Sequence, residues 1–186
     1  MPADAQRYID ETLKFSKALN LTAVRDAGEF SRRFIGPSEA LCKWLPDHGV
    51  LLDVGSGMGV PGVPILLRKP GLHGVLVERR KKRAEFLRHI VRLLGLDAEV
   101  HDCDVRDLTG VCADVCVARA VTRPDALLSM VAGKMAPLGR AVLPVPDSLE
   151  AFSYPGWVLE SVDEVVCQGI RQHIHCYRIE GVSRET

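Results

Sequence analysis

From residue 50 onward, short apolar runs alternate with longer stretches whose apolar residues recur at three- and four-residue spacing. Val50 to Val54 predicts a short strand, and Val60 to Arg68 a helix whose first turn tolerates Pro61. Lys69-Pro70-Gly71 closes that helix, and Gly74 to Glu78 predicts a second strand that ends in an acid. Arg79 to Leu94 carries the clearest helical period, through Ala84, Leu87, Ile90, Val91 and Leu94, with Gly95 as its stop. Further strands are predicted at Ala98 to His101 and Ala113 to Ala118. A helix is predicted at Pro124 to Met135, then a fifth strand at Arg140 to Val145 that Pro144 weakens.

Before residue 50 the pattern is helical. Residues 3–20 show a period through Tyr8, Ile9, Leu13 and Leu19, and Glu29 to Leu45 gives a second helical candidate. Gly36-Pro37 should interrupt the latter, because proline lacks an N–H and clashes with the preceding turn. At the other end, VLESVDEVVC and HIHCYRI alternate about a turn, as an antiparallel edge pair would. Strands separated by helices imply an α/β fold with a doubly wound, mainly parallel sheet. The expected organisation is one domain over 1–186, with a helical N-terminal cap at 1–49 and an α/β core at 50–186.

Composition narrows the partners. Lys plus Arg and Asp plus Glu are 24 each, so a nucleic-acid partner needs a local basic patch. No signal-peptide pattern is evident, and no apolar run approaches the ~18–20 residues that cross a bilayer. The six cysteines form no C-x-x-C pair, which suits reduced thiols. The expectation is a cytoplasmic protein, without a membrane partner.

The candidate chemistry lies in LLDVGSGMGVPG at 51–62. Read from Gly57, GMGVPG matches the G-x-G-x-x-G turn of dinucleotide-binding proteins, but then Gly55-Ser56 is left over between strand and fingerprint. Read from Asp53, the frame Asp53-x-Gly55-x-Gly57-x-Gly59 starts within the strand. Asp53 can then accept from an amine or orient the loop, and the glycines let the backbone pass close to a small ligand. Glu78, 23 residues after Gly55, offers two acceptor oxygens for a pair of ribose hydroxyls. Glu78 suits either reading; the loop frame favours the second. This arrangement resembles the first motif of S-adenosylmethionine-dependent methyltransferases.

The likeness extends further. NLTAVRD at 20–26, RRFIGPSEAL at 32–41, LLDVGSGMGVPGVPI at 51–65, VERRKKRAEFLR at 77–88 and VARAVT at 117–122 occur in one order. Together they resemble the RsmG (GidB) family, bacterial methyltransferases that act on guanine N7 of 16S ribosomal RNA. The V-P-G-V-P run at 60–64 is more specific than the glycines. The resemblance implies a class I methyltransferase sheet and S-adenosyl-L-methionine as cofactor, with Gly55, Ser56 and Val60 against it. It further implies that Val105 and Arg106 hold the adenine through backbone groups. Arg119 is implied at the methionine end or beside the incoming base, as the one residue assigned to catalysis. Its ordinary alternative is a surface ion pair, for instance with Asp125. The chain departs from the family pattern at Phe34, Pro37 and Val145-Pro146, and in a shorter N-terminal region.

Guanine N7 carries its own lone pair, so no general base is required and the task is alignment. Phe34 and Arg119 are candidates to hold an unstacked base. The run Arg79-Arg80-Lys81-Lys82-Arg83, with Arg33, is a candidate surface for the phosphates of ribosomal RNA or the small ribosomal subunit. The alternative for the run is a solvated helix face. His173-x-His175-Cys176 is too short a span for a metal site, so no metal is expected. Trp44 and Trp157 are expected to serve packing, and the chain to be a monomer. Two other readings stand beside this one: a cofactor- or RNA-binding relative without turnover, and a nicotinamide-dependent oxidoreductase through GMGVPG.

Overall fold

The computed structural model describes residues 3–119, 122–146 and 153–180. The strands are β1 (Gly49–Val54), β2 (Leu72–Val77), β3 (Ala98–His101), β4 (Ala113–Ala118), β5 (Met135–Val145), β6 (Trp157–Cys167) and β7 (Ile170–Ile179). They form one sheet in the order β3-β2-β1-β4-β5-β7-β6. β1 to β5 pair in parallel, and β7 lies antiparallel between β5 and β6. The expected doubly wound sheet with an antiparallel edge is therefore observed. The order reverses between β1 and β4, which is where an open α/β sheet leaves a crevice at its carboxyl edge.

Both faces of the sheet are covered, which is why β1 and β4 read as nearly unbroken apolar runs. On one face Leu51, Val115, Val117 and Val142 pack under α1 (Ala3–Leu19), α4 (Gly62–Arg68) and α5 (Lys81–Leu94) through Tyr8, Ile9, Val63, Ile65, Leu87 and Ile90. On the other face Leu52, Val54, Cys116 and Ala141 pack against Leu127, Leu128 and Val131 of α6 (Pro124–Val131). α5 ends at Gly95 with φ 62°, the left-handed stop the sequence predicts.

Three local expectations change. Pro37 does not interrupt the cap. The chain passes from α2 (Ala27–Phe30) through one wide π turn (Ser31–Ile35) into α3 (Gly36–Ala40) and a 3-10 turn (Leu41–Trp44). The Gly36 N–H reaches back to Ser31 O, and Pro37 falls at the start of α3, where its missing N–H costs little. The helix expected to reach Met135 ends at Val131, and β5 begins at Met135 rather than Arg140. Pro144 is accommodated because pairing with β4 ends at Val142, so it sits beside β7 alone. The β6–β7 turn uses Gln168 and Gly169, both at positive φ (50° and 78°), as a two-residue hairpin requires.

The cap is tied to the sheet at its C-terminal end. Trp44 donates its indole N–H to Asp163 Oδ2 of β6 at 2.9 Å, a polar anchor in addition to packing. Trp157 is buried as expected.

Candidate functional site

At the carboxyl edge of β1, β2, β3 and β4 lies a cleft of about 690 Å³, within the roughly 300–1,000 Å³ usual for small-molecule sites. Its wall includes Gly55, Ser56, Gly57, Val60, Glu78, Arg79, Arg80, Arg83, Val105, Arg106, Arg119 and Phe34. Twelve sequence-predicted residues are thus brought together. Asp53, Gly59, Arg33 and Lys82 are not part of that wall.

The glycine loop closes mostly on backbone. Ser56 N–H donates to Val77 O at 3.0 Å, bridging β1 to β2, and its hydroxyl donates to Asp53 O at 2.9 Å. The N–H groups of Gly59 and Val60 both reach Ser56 O, at 2.7 and 3.2 Å. Gly55, Gly57 and Gly59 all have positive φ, at 68°, 59° and 100°, a conformation that other residues adopt only at a cost. The two later glycines serve different ends. A Cβ on Gly57 would meet nothing closer than 3.7 Å and would stand 4.0 Å from Glu78 Oε2. A Cβ on Gly59 would lie 2.7 Å from Val63 Cγ2, 3.2 Å from the Tyr8 hydroxyl and 3.3 Å from Leu87 Cδ2. Gly59, expected against a cofactor, instead lets α1, α4 and α5 close on the back of the loop.

Asp53 takes the second of its two expected roles. It is fully buried; Oδ2 accepts from Gly62 N–H at 3.1 Å, fixing the start of α4 to β1. Its Oδ1 has no hydrogen-bond partner among the described residues. Burial, with the nearby Glu78 charge adding to it, pushes the Asp53 carboxyl up to about 7, against the pull of its hydrogen bond from Gly62 N–H. It orients the loop from beneath.

Glu78, only 6% exposed, accepts from Gly57 N–H through Oε2 at 3.0 Å and from Arg80 N–H through Oε1 at 2.8 Å. The two bonds clamp the carboxylate at the end of β2, and each oxygen keeps acceptor capacity. At the end of β3, Asp104 accepts from Arg106 N–H at 2.9 Å and from its guanidinium at 2.9 and 2.8 Å. The Arg106 guanidinium holds the Asp104 carboxyl well below the usual range. The implied backbone contact to adenine therefore changes shape: the Arg106 N–H is occupied, while Val105 is buried in the wall.

Across the cleft, the Arg119 guanidinium lies 4.8 Å from the Phe34 ring centre, and that of Arg33 lies 5.8 Å away. Phe34 is 8% exposed and its ring meets Phe30 at 4.8 Å. It is therefore not an open platform for a base; it supports Arg119. Arg119 also reaches Arg33 O at 3.4 Å. Burial, with Arg33 close by, lowers its affinity for a proton. Asp125, its alternative partner, lies 3.3 Å from Arg123 instead. Ala120 and Val121 of the same motif lie outside the described residues.

The basic run divides. Arg83 donates to Asn20 O, and Arg88 pairs with Asp102 at 2.7 Å. Arg79, Arg80, Lys81 and Lys82 are exposed at the cleft mouth and the start of α5. Arg33 pairs with Glu29 at 3.2 Å.

Sequence reading missed Leu21, Thr22, Met58, Asp104 and Tyr8. Asp104 had a usable signal, since it is an acid in the loop three residues beyond β3. Tyr8 had none, because its place on an amphipathic helix reads as core.

Tested against S-adenosylmethionine, the residues fit. A clamped carboxylate faces the cleft beside a glycine whose absent side chain leaves room above it, and apolar Val60, Val77 and Val105 line the walls.

A family model described as GidB, rRNA small subunit methyltransferase G, matches residues 1–143. The chain belongs to this family. A ribosomal RNA small subunit methyltransferase G from Chloroflexus aggregans is 41% identical over 95 residues, 50% of this chain and 40% of that protein. One from Mycobacterium leprae is 36% identical over 128 residues, 66% of this chain and 52% of that protein. The chain spans about half the length of the curated relatives it matches. Among solved structures, TYW2 of P. horikoshii in complex with MeSAdo superposes with a TM-score of 0.62 at 16% identity, over 77% of this chain and 61% of that one. TrmN from Thermus thermophilus gives 0.56 at 18% identity, over 76% and 48%. At such identity the likeness is one of fold, and the sheet is the Rossmann-like sheet of class I methyltransferases. No helix among the described residues is long and apolar enough to cross a membrane, and none of their His, Cys, Asp or Glu side chains group as three or more around a metal position.

Proposed function

We propose that the chain is an S-adenosylmethionine-dependent methyltransferase acting on ribosomal RNA of the small subunit, at guanine N7, in the bacterial cytoplasm. The observation that carries this reading is the clamped Glu78 carboxylate at the end of β2, above Gly57 of the loop that leaves β1, the strand beside which the order reverses. Membership of the family supports this substrate class.

When bound, the cofactor supplies an electrophilic methyl group on a sulfonium. The work of the chain is binding and alignment. Glu78 would accept from the two ribose hydroxyls, and the Gly55–Val60 backbone would hold the amino-acid portion. The Val105 segment and Asp104 would border the adenine. Arg119, set against the Phe34 ring and with no carboxylate paired to it among the described residues, faces the acceptor side and orients the incoming base. Because N7 is a ready nucleophile, no group in the cleft need remove a proton before attack, and positioning provides the rate enhancement. Arg79, Arg80 and Lys82 grip phosphates beside the mouth, with Arg83 and Arg33 behind them.

Transfer of a labelled methyl from S-adenosylmethionine to undermethylated small ribosomal subunits tests the reading. Incorporation recovered as 7-methylguanosine is expected. Cofactor binding without incorporation into subunits or naked RNA contradicts the enzymatic reading, and label on another atom contradicts the N7 assignment.

A further inference from the structure

The N-terminal helix is hydrogen-bonded to the glycine loop through the Tyr8 hydroxyl. Tyr8 of α1 is fully buried, and its phenol donates to Met58 O, in the middle of the glycine loop, at 2.8 Å. Met58 lines the cleft between Gly57 and Val60. The same phenol oxygen would stand 3.2 Å from a Cβ on Gly59, so the loop is glycine where the tyrosine approaches. The Tyr8 ring meets Phe30 edge-on at 5.9 Å, Phe30 meets Phe34 at 4.8 Å, and Phe34 carries Arg119 at 4.8 Å. A loop whose glycines have many accessible conformations loses more entropy on binding unless something holds it beforehand.

We infer that Tyr8 is a positioning residue: its phenol holds the Met58 carbonyl, and with it the glycine loop, in the shape that receives the cofactor. This rests on the cofactor reading above. Burial pushes the phenol far above its ordinary range, so it stays a neutral donor at every working pH. The N-terminal cap is then part of the cofactor site through the Tyr8 hydroxyl.

Tyr8→Phe keeps the ring and its packing and removes the donor. Without it a smaller fraction of the protein holds the receptive loop, and apparent affinity falls by that fraction. Calorimetry with S-adenosylhomocysteine is expected to show about three- to tenfold weaker binding, the effect of one net hydrogen bond. KM for S-adenosylmethionine should rise by the same factor, with kcat at saturating cofactor kept. In the ligand-free protein, the Gly59 and Val60 amides, both bonded to Ser56 O, should exchange with deuterium faster. Thr12→Val removes another buried hydroxyl of α1, bonded at 2.7 Å to Tyr8 O; it should lower stability and leave cofactor affinity as it is. A Tyr8→Phe protein with reduced melting temperature but unchanged affinity and unchanged exchange at Gly59 and Val60 overturns the role of Tyr8. Absence of binding by the wild-type chain overturns the cofactor reading itself, a different outcome from equal binding by both proteins.

Discussion

On the strand side of the cleft, the loop from Gly55 to Val60 is held by main-chain hydrogen bonds and by Glu78, Asp53 and Tyr8 acting on main-chain groups. On the cap side, Phe34 and Arg119 meet ring to guanidinium, with one long contact to a backbone oxygen. The first arrangement depends on backbone angles and on acceptors that few residue types can supply. The second depends on the packing of side chains from distant segments. Where geometry is made by backbone, residue types are constrained and the cofactor can be read. Where it is made by side chains, substitutions such as Phe34 are absorbed by repacking and the acceptor is harder to read.

The comparison breaks most visibly at Glu78. Glu78→Ala removes two charge-assisted bonds and the acceptor for the ribose, and should weaken cofactor binding by at least about 100-fold, as calorimetry will show. A loss under tenfold would mean that the strand side is not centred on this carboxylate.

Gly57 and Gly59 separate binding from packing within one loop. Gly59→Ala forces a methyl against Val63 at positive φ and should cost about 2–3 kcal/mol in urea unfolding. Gly57→Ala should cost only about 1 kcal/mol, yet lower cofactor affinity more than its loss of stability explains, because its methyl enters the cleft. Equal stability losses would contradict the division.

Asp53 sharpens the picture through pH. Its folded carboxyl titrates at about 7, above the unfolded value of about 3.9. Between those values the folded chain holds a proton that the unfolded chain has lost. The stability this contributes is full below about pH 4 and is lost as pH rises through 7. Asp53→Asn retains an acceptor for Gly62 N–H and no longer titrates, so it should gain on the wild type by roughly 2–3 kcal/mol between pH 5 and 8. Parallel pH profiles in urea unfolding would contradict a neutral buried Asp53.

The smallest effect belongs to the mouth. Replacing Arg79, Arg80 or Lys82 by Gln should each reduce the slope of log affinity against log salt by about 0.7 for single-stranded RNA, with cofactor affinity unchanged. Fluorescence anisotropy at several salt concentrations measures it, and an unaltered slope would remove these cations from the RNA surface.

Much of this was legible in the chain. The β1 exit, the glycine spacing and Glu78 follow from local rules, because positive φ and a strand-end acid leave marks in residue type. Gly59 was read as facing a ligand because its letter fits a motif; the letter cannot say which side of a loop is crowded, and here Val63, Tyr8 and Leu87 crowd it. The cap was read as broken at Pro37, since a π turn that absorbs the missing N–H has no residue signature. Arg106 and Asp104 show the same limit: two residues apart, they pair with each other, which spacing alone does not reveal.

Calorimetric titration of the purified chain with S-adenosylmethionine and, separately, with NAD tests the central claim most directly. One-site binding of S-adenosylmethionine that Glu78→Ala abolishes, with no heat from NAD, is the predicted result. Binding of NAD alone would contradict the account.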